Sequence, residues 1–242
     1  MNLIIDVGNS FVKLAVFKDG LIEYKVSVKL EDVLNEVKAL NKKHTSIESA
    51  IISSVGKLQK KDISTISKYF DVLVLDSNTN LPFNNLYKTP KTLGVDRIAL
   101  ICASVRQFSD KNVLIIDAGT CITYDFINSD NQYLGGAISP GIRMRYKSLN
   151  SLTANLPLLE SEMPKSIIGT STDESIHSGV IYGILNEIDG VVELYKLKYS
   201  DLTVILTGGD AKFLSKQLKS SIFANPNFLL EGLNFILQFN SN

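Results

Sequence analysis

Two stretches, LIIDVG at 3–8 and LIIDAG at 114–119, each run an apolar strand into an aspartate and then into a glycine turn. Asp6 and Asp117 stand at the same point of each copy. A carboxylate desolvated at the end of a buried strand is costly unless something cationic meets it. One such aspartate alone could merely cap a hairpin turn, but near-identical recurrence indicates an internal duplication. Each copy continues into a polar turn, Asn9-Ser10 or Thr120-Cys121, and then a β-rich run, VKLAVF or ITYDFI. Backbone N–H groups of such turns form concavities that hold anions. Mg²⁺ takes one or two carboxylates and completes its shell with water and phosphate oxygens. Two such halves could therefore close on a polyphosphate and its Mg²⁺, which is nucleotide chemistry.

Further chemistry sits at the ends of other elements. Gly94-Val95-Asp96-Arg97 begins a helical stretch. Acid in a first helical turn suits the macrodipole, but an adjacent arginine gains nothing there. The pair makes sense if Arg97 forks onto a substrate anion and Asp96 accepts a proton from a substrate hydroxyl. At 204–211, VILTGGDA places Gly208 and Gly209 between strand and helix, where backbone can approach a flat ligand or a phosphate. Thr172, after Gly169-Thr170-Ser171, is expected as the N-cap of a long helix. Ser178, Gly179 and Gly183 on that helix suit close helix contact, either within the chain or at a dimer seam. His177 beside them is given no role, and the basic pair Arg143 and Arg145 in IRMRYKS has no account.

Composition narrows the class. The 242 residues are 45% hydrophobic, enough for one large core or two of roughly 110–130 residues each. Lys+Arg 25 balances Asp+Glu 25, which argues against nucleic acid and against acidic membrane surfaces. The longest apolar runs are strand-length, short of the roughly 20 residues of a membrane helix. Met1 leads straight into a strand, so a cytoplasmic protein is expected. Cys102 and Cys121 fit a reducing compartment, and with only His44 and His177 they cannot build a zinc site.

These residues must be positioned by regular elements. The first half reads as strands 2–6, 11–17 and 20–28, helix 30–43, strand 50–55, helix 57–69, strand 71–76, an Asn- and Pro-rich loop 77–92 and a helix of about 15 residues. The second half repeats the order: strands 113–117, 121–127 and 132–138, helix from Ile142, a helix-rich insertion at 172–198, strand 203–208, helix 210–220, a short strand at 222–224 and a closing helix 228–239. The expectation is an α/β duplicated ribonuclease-H-like fold of the actin/hexokinase/heat-shock-70 superfamily, two βββαβαβα halves facing across a cleft. The halves are placed at 1–112 and 113–242, with a helical dimerisation insertion at about 170–198.

DVGNSFVK (6–13), GVDR (94–97), DAGTCITYD (117–125), GGAISPG (135–141), TANLP (153–157), GTSTDESIHSG (169–179) and TGGDA (207–211) resemble, in order, the motifs of type III pantothenate kinases. The resemblance spans essentially the whole chain. It implies ATP-dependent phosphorylation of pantothenate, with Asp96 as proton acceptor. It implies ATP contacts from Asp6, Val7, Gly8, Asn9, Ser10, Phe11, Val12, Lys13 and Thr120. Tyr87, Gly94, Val95, Asp96, Arg97 and Thr172 would face pantothenate. Asp6 would lie near the Mg²⁺ of Mg²⁺–ATP, and Asp117 would hold a monovalent cation, K⁺ or NH₄⁺. It implies a homodimer with Thr172 reaching pantothenate from the partner subunit. Ser10 stands where the family usually has Thr, and Cys121 where it usually has Ala. Two other readings are a different small-molecule kinase of the actin-like fold and a non-enzymatic regulatory accessory.

Overall fold

The computed structural model describes residues 1–8, 11–54 and 58–241. It divides into two compact units: Met1–Ser109 with Asn131–Tyr133 and Asn227–Asn242, and Asp110–Asp130 with Leu134–Pro226. The last helix of the chain thus belongs with the first unit.

In the first unit an antiparallel meander, β1 (Asn2–Val7), β2 (Val12–Lys18) and β3 (Leu21–Val28), is extended by parallel β4 (Ser49–Ser54) and β5 (Asp71–Val74). The order across the sheet is β3-β2-β1-β4-β5. β1 is buried along nearly its whole length, as its unbroken apolar run requires. Helix α1 (Val33–Lys43) lays Val33, Val37 and Leu40 against Leu3, Ile5, Leu14 and Ile52. This i, i+4, i+7 stripe is what its sequence period demands. A single 3₁₀ turn, Leu30–Asp32, precedes it.

Helix α2 is shorter than the expected 57–69, running Lys60–Ile66. Gln59 and Asp62 close a capping box at its start. At its end Lys68 and Tyr69 bond back to Thr65 and Ile66, which tightens the turn and stops the helix. The loop after β5 is not structureless: β6 (Asn84–Asn85) pairs in parallel with Gln132 and Tyr133. Helix α3 (Val95–Gln107) carries the apolar run Ile98–Ala103 and packs against α7 (Phe228–Asn240).

The second unit repeats the plan. β7 (Val113–Ala118), β8 (Cys121–Ile127) and β9 (Gln132–Pro140) are followed across β7 by β10 (Thr203–Thr207) and β11 (Phe223–Ala224). The order β9-β8-β7-β10-β11 matches that of the first sheet, strand for strand, with β6 added on the β9 edge. The expected duplication and α/β class are therefore present. Helix α4 (Ile142–Ser151) and the 27-residue α5 (Thr172–Lys198) cover one face. Ile176, Val180, Ile184, Ile188 and Val192 of α5 meet Leu114, Ile116, Tyr124 and Leu206 there.

Helix α6 holds only Ala211–Leu214, against an expected 210–220. After Leu214 the chain tightens, Gln217 bonding back to Leu214, and beyond that the Asp189 carboxylate of α5 accepts the N–H groups of Lys219 and Ser220 at 3.2 and 3.0 Å and the Ser220 hydroxyl at 2.8 Å, so the helix does not resume. Amides taken by a side chain cannot continue a helical ladder.

Glycine spacing makes the α3–α7 contact testable. A Cβ on Gly232 of α7 would lie 1.9 Å from the Ala99 carbonyl oxygen, whereas one on Gly190 of α5 meets nothing within 4 Å. Gly232→Ala should lower unfolding free energy by about 1–3 kcal/mol through overpacking. Gly190→Ala should raise it by about 0.5–1 kcal/mol by removing backbone freedom from the unfolded chain. Urea unfolding of both variants checks this, and equal midpoints would contradict the close α3–α7 approach.

Candidate active site

The first unit assembles its charged groups at the end of β1 and the start of α3. Asp6 is 8% exposed and sits opposite Lys13 in the β1–β2 register. Burial pushes its carboxyl up to about 6; the Lys13 ammonium opposes this, and the Asp96 carboxylate adds to it. Asp6 and Asp96 are thus close enough to repel. Val7 and Val12 are buried in the core, so only their backbone is available to a ligand, while Phe11 is exposed. The Gly8 N–H donates to the Phe11 carbonyl at 3.1 Å, closing the turn. Asn9 and Ser10, both expected at the ATP phosphates, lie outside the described residues.

Gly94 is the N-cap of α3, with Val95 the first helical residue. A Cβ at Gly94 would fall 2.3 Å from Asp96 Oδ1. A side chain there would displace the Asp96 carboxylate, which folds back on its own helix end. That oxygen accepts the Arg97 N–H at 2.9 Å.

Arg97 is buried, unlike a surface arginine waiting for an anion. Its Nη2 donates to the Tyr133 hydroxyl at 2.8 Å, and its guanidinium lies 5.6 Å from the centre of the Tyr87 ring. The Tyr87 and Tyr133 rings are 5.9 Å apart, and Phe83 approaches Tyr133 edge-on at 6.2 Å. The Tyr87 backbone N–H is fixed by Asn85 Oδ1 at 3.0 Å. Tyr87, Arg97 and Tyr133 thus form one aromatic–cation group. Tyr133 is absent from the residues expected from the sequence. No signal in the sequence marks it, since only the structure shows a fully buried tyrosine whose hydroxyl must find a partner.

The second unit presents Asp117 on β7, flanked in register by Thr207 of β10 and Thr123 of β8. Gly208 adopts φ +96°, and a Cβ there would come within 2.4 Å of Asp117 Oδ1 and 2.3 Å of the Ala118 carbonyl. Both conformation and space demand glycine. Thr120 is exposed at the turn, and its carbonyl accepts the Gly141 N–H at 3.2 Å. Asp210, unmarked in the sequence, donates its N–H to the Ala118 carbonyl at 2.9 Å. Burial pushes its carboxyl up, opposed by Arg143. That supplies an account of Arg143. Among the described residues no cluster of three or more His, Cys, Asp or Glu side chains could hold a metal ion.

Thr172 is not the N-cap of α5. Ser171 is, its hydroxyl accepting the Glu174 N–H at 3.3 Å, and Thr172 is the first helical residue. The Glu174 carboxylate accepts the hydroxyl and the N–H of Thr170, both at 2.7 Å, and these bonds hold it below the usual carboxylate range. The Ser171-to-Glu174 spacing is that of a capping box. Thr172 is exposed and lines a cavity of about 870 Å³ with Arg145, Leu149, Leu156, Ser175 and Ile176. Ser178 serves intrachain packing, its hydroxyl donating to the Ile167 carbonyl at 2.5 Å. A Cβ on Gly179 would meet nothing within 4 Å. His177 Nδ1 lies 2.8 Å from the Tyr146 hydroxyl.

Comparison with known proteins bears on this geometry. Residues 2–194 match the family of type III pantothenate kinases. The chain is 53% identical over 241 residues to a type III pantothenate kinase of Christiangramia forsetii, covering 99% of each. Among solved structures, a Campylobacter jejuni protein assigned to the Baf transcriptional-activator family superposes with a TM-score of 0.66 at 21% identity, over 98% of each chain. An inorganic polyphosphate/ATP-glucomannokinase from an Arthrobacter species gives 0.54 at 15% identity, over 99% of this chain and 100% of that one. At such identities the two structures carry the fold alone, that of the actin-like ATPases. The full-length match in sequence carries more: this chain belongs to the type III pantothenate kinase family.

Proposed function

We propose that this chain transfers the γ-phosphoryl group of ATP to the primary hydroxyl of pantothenate, giving 4′-phosphopantothenate, the first step of coenzyme A synthesis. The observation that carries the chemistry is the pair of neighbouring carboxylates in the first unit, Asp6 and Asp96, with Asp6 pushed up to about 6 chiefly by burial. A carboxylate so placed is under-compensated by Lys13 alone, which fits a further cation. Two carboxylates, with no larger acidic cluster among the described residues, suit an ion that arrives with nucleotide phosphates. Mg²⁺ when bound would neutralise charge on the transferring phosphoryl group.

Asp96 orients the pantothenate hydroxyl and takes its proton late in the transfer, since phosphoryl transfer depends on positioning more than on a strong base. Tyr87 and Arg97, with Gly94 and Val95 as wall, would recognise pantothenate, Arg97 through its carboxylate. In the first unit the turn from Asp6 to Lys13 would meet ATP; in the second, Thr120 would meet its phosphates. Asp117 would hold K⁺ or NH₄⁺, as the family resemblance implies: its carboxylate stands at the end of β7 against the Gly208 turn. The chain would act as a homodimer in which Thr172, on the exposed first turn of α5, serves the pantothenate of the partner subunit.

A coupled assay of ADP release with pantothenate against a panel of sugars tests the substrate, run with and without K⁺. Asp96→Asn should keep the fold and lower kcat by about 10²–10⁴. Phosphorylation of a sugar in preference, or an unchanged Asn variant, would overturn the reading.

The raised Asp6 carboxyl has a sign that stability measurements can read. The folded protein holds this proton more tightly than the unfolded chain, whose carboxyl titrates near 3.8. Nucleotide-free protein should therefore lose stability as pH rises from about 4 to about 6, and Asp6→Asn should remove that loss. Thermal unfolding across this window checks it; a wild-type and Asn variant that run in parallel would exclude the desolvated carboxylate.

Sharing of the site between subunits is read by mixing. Asp96→Asn and Thr172→Trp chains, each inactive as a homodimer, are unfolded and refolded together in equal amounts. A shared site leaves one intact site per heterodimer, so about a quarter of wild-type activity should return with random pairing. Heterodimers without recovery would place Thr172 outside the partner's site.

A further inference from the structure

Arg145 lies outside every role assigned above, yet it makes three polar contacts in the second unit. Its Nε donates to the Pro140 carbonyl at 3.0 Å and its Nη2 to Ser139 Oγ at 3.0 Å. The same Nη2 forms a short ion pair with Glu187 of α5. Glu187 also accepts the Tyr124 hydroxyl of β8 at 3.0 Å. Burial alone would push the Glu187 carboxyl up, but bonds from Arg145, Ser139 and Tyr124 hold it below the usual carboxylate range. It therefore stays ionised to keep the arginine.

What Arg145 holds is the strap 139–141, the end of β9, which lies beside β8 in the sheet and runs into α4. The Gly141 N–H donates to the Thr120 carbonyl at 3.2 Å. A Cβ at Gly141 would lie 2.2 Å from the Gly119 carbonyl oxygen and 2.6 Å from that of Thr120. The strap thus presses directly on the Gly119–Thr120 turn. A guanidinium binding a carbonyl, a hydroxyl and a carboxylate together fixes all three in one plane. The route from turn to helix is continuous: Thr120, Gly141, Pro140 and Ser139, Arg145, then Glu187 on the helix that begins at Thr172.

We propose that Arg145, held by Glu187, is a positioning residue for ATP: it fixes the Gly119–Thr120 turn to α5 through the strap 139–141. The proposal rests on the reading of Thr120 as a phosphate contact. It explains why a basic residue stands in the first turn of α4, where a cation is disfavoured by the helix end. A shift of a fraction of an ångström in that turn would mis-set the phosphates and leave the pantothenate residues of the first unit untouched.

Steady-state kinetics separates this role from plain scaffolding. Arg145→Met and Glu187→Gln should raise the ATP KM by about tenfold with the pantothenate KM within about twofold. Arg145→Lys can reach Glu187 but cannot fork to the strap. It should keep the wild-type melting temperature within a few degrees and still raise the ATP KM. Thr120→Ala is the control for the underlying reading. If Thr120→Ala raises the ATP KM while Glu187→Gln and Arg145→Lys change only the melting temperature, the clamp is overturned. If Thr120→Ala leaves the ATP KM unchanged, the phosphate reading fails, and amide exchange of Gly141 in the full chain decides the clamp itself. Faster exchange of that amide in Glu187→Gln sustains it, and unchanged exchange refutes it. Should Arg145→Met fail to fold, the near-isosteric Glu187→Gln and the lysine variant carry the test alone.

Discussion

Burying a carboxylate at the end of a strand is the constraint from which much of this architecture follows. Water gives a carboxylate several kcal/mol of solvation that a strand end inside a domain withholds. The chain places an aspartate at a strand end twice, Asp6 buried and Asp117 half-buried, and each time the surroundings are shaped to it. Beside Asp6 stands Lys13, brought opposite by the hairpin register. Beside Asp117 stand the two threonines, and the left-handed Gly208 lets β10 end against it. The same strand order in both sheets follows from reusing one solution: a meander whose first strand is central, so that its end is reachable from both neighbours.

The two copies have then diverged in what surrounds the shared core. In the first unit β4, β5 and the short α2 close the sheet, and α7 returns from the end of the chain to pack on α3. In the second, α5 runs 27 residues and carries the cap at Ser171, the carboxylate that anchors Arg145 and the carboxylate that binds Lys219 and Ser220 beyond α6. A helix of that length has exposed faces to spare. Leu194 and Leu197 near its end are largely exposed.

What the sequence made legible divides along the same physical line. Elements written in local periodicity are found where expected: β8 agrees to the residue at 121–127, and α5 fills the helix-rich stretch expected at 172–198 with its cap one residue earlier than expected. Expectations went astray where a distant group overrides the local pattern. The expected helix does not resume after α6 because Asp189, some 30 residues away, takes the amides of Lys219 and Ser220. The two-residue strand β6 exists only through pairing with β9, which no local signal announces. The misplaced cap is different, since Ser171 and Glu174 spell a capping box in the sequence itself. At the site, the strand-end aspartates and the glycines that crowd them could be read from residue type. The Tyr133 hydroxyl on Arg97 could not, because the bond spans 36 residues and depends on both being buried together.

Charge compensation divides the carboxylates into two kinds. Glu187 and Glu174 are met by enough donors to be held below the usual range, and each secures a piece of scaffold. Asp6 is treated in the opposite way: its burial exceeds what Lys13 returns, and Asp96 beside it makes matters worse. Folding alone gives no reason to keep two mutually repelling carboxylates at a strand end. Replacing either by an amide would ease the repulsion at little cost in volume. Such an arrangement persists when the missing positive charge is supplied by what the site binds. Arg143 gives the same logic in weaker form, offsetting part of the burial of Asp210 without returning it to the ordinary range. Under-compensation is thus concentrated at strand ends and helix starts, where backbone N–H groups can meet an anion and carboxylates its cation. Nucleotide chemistry needs both at once.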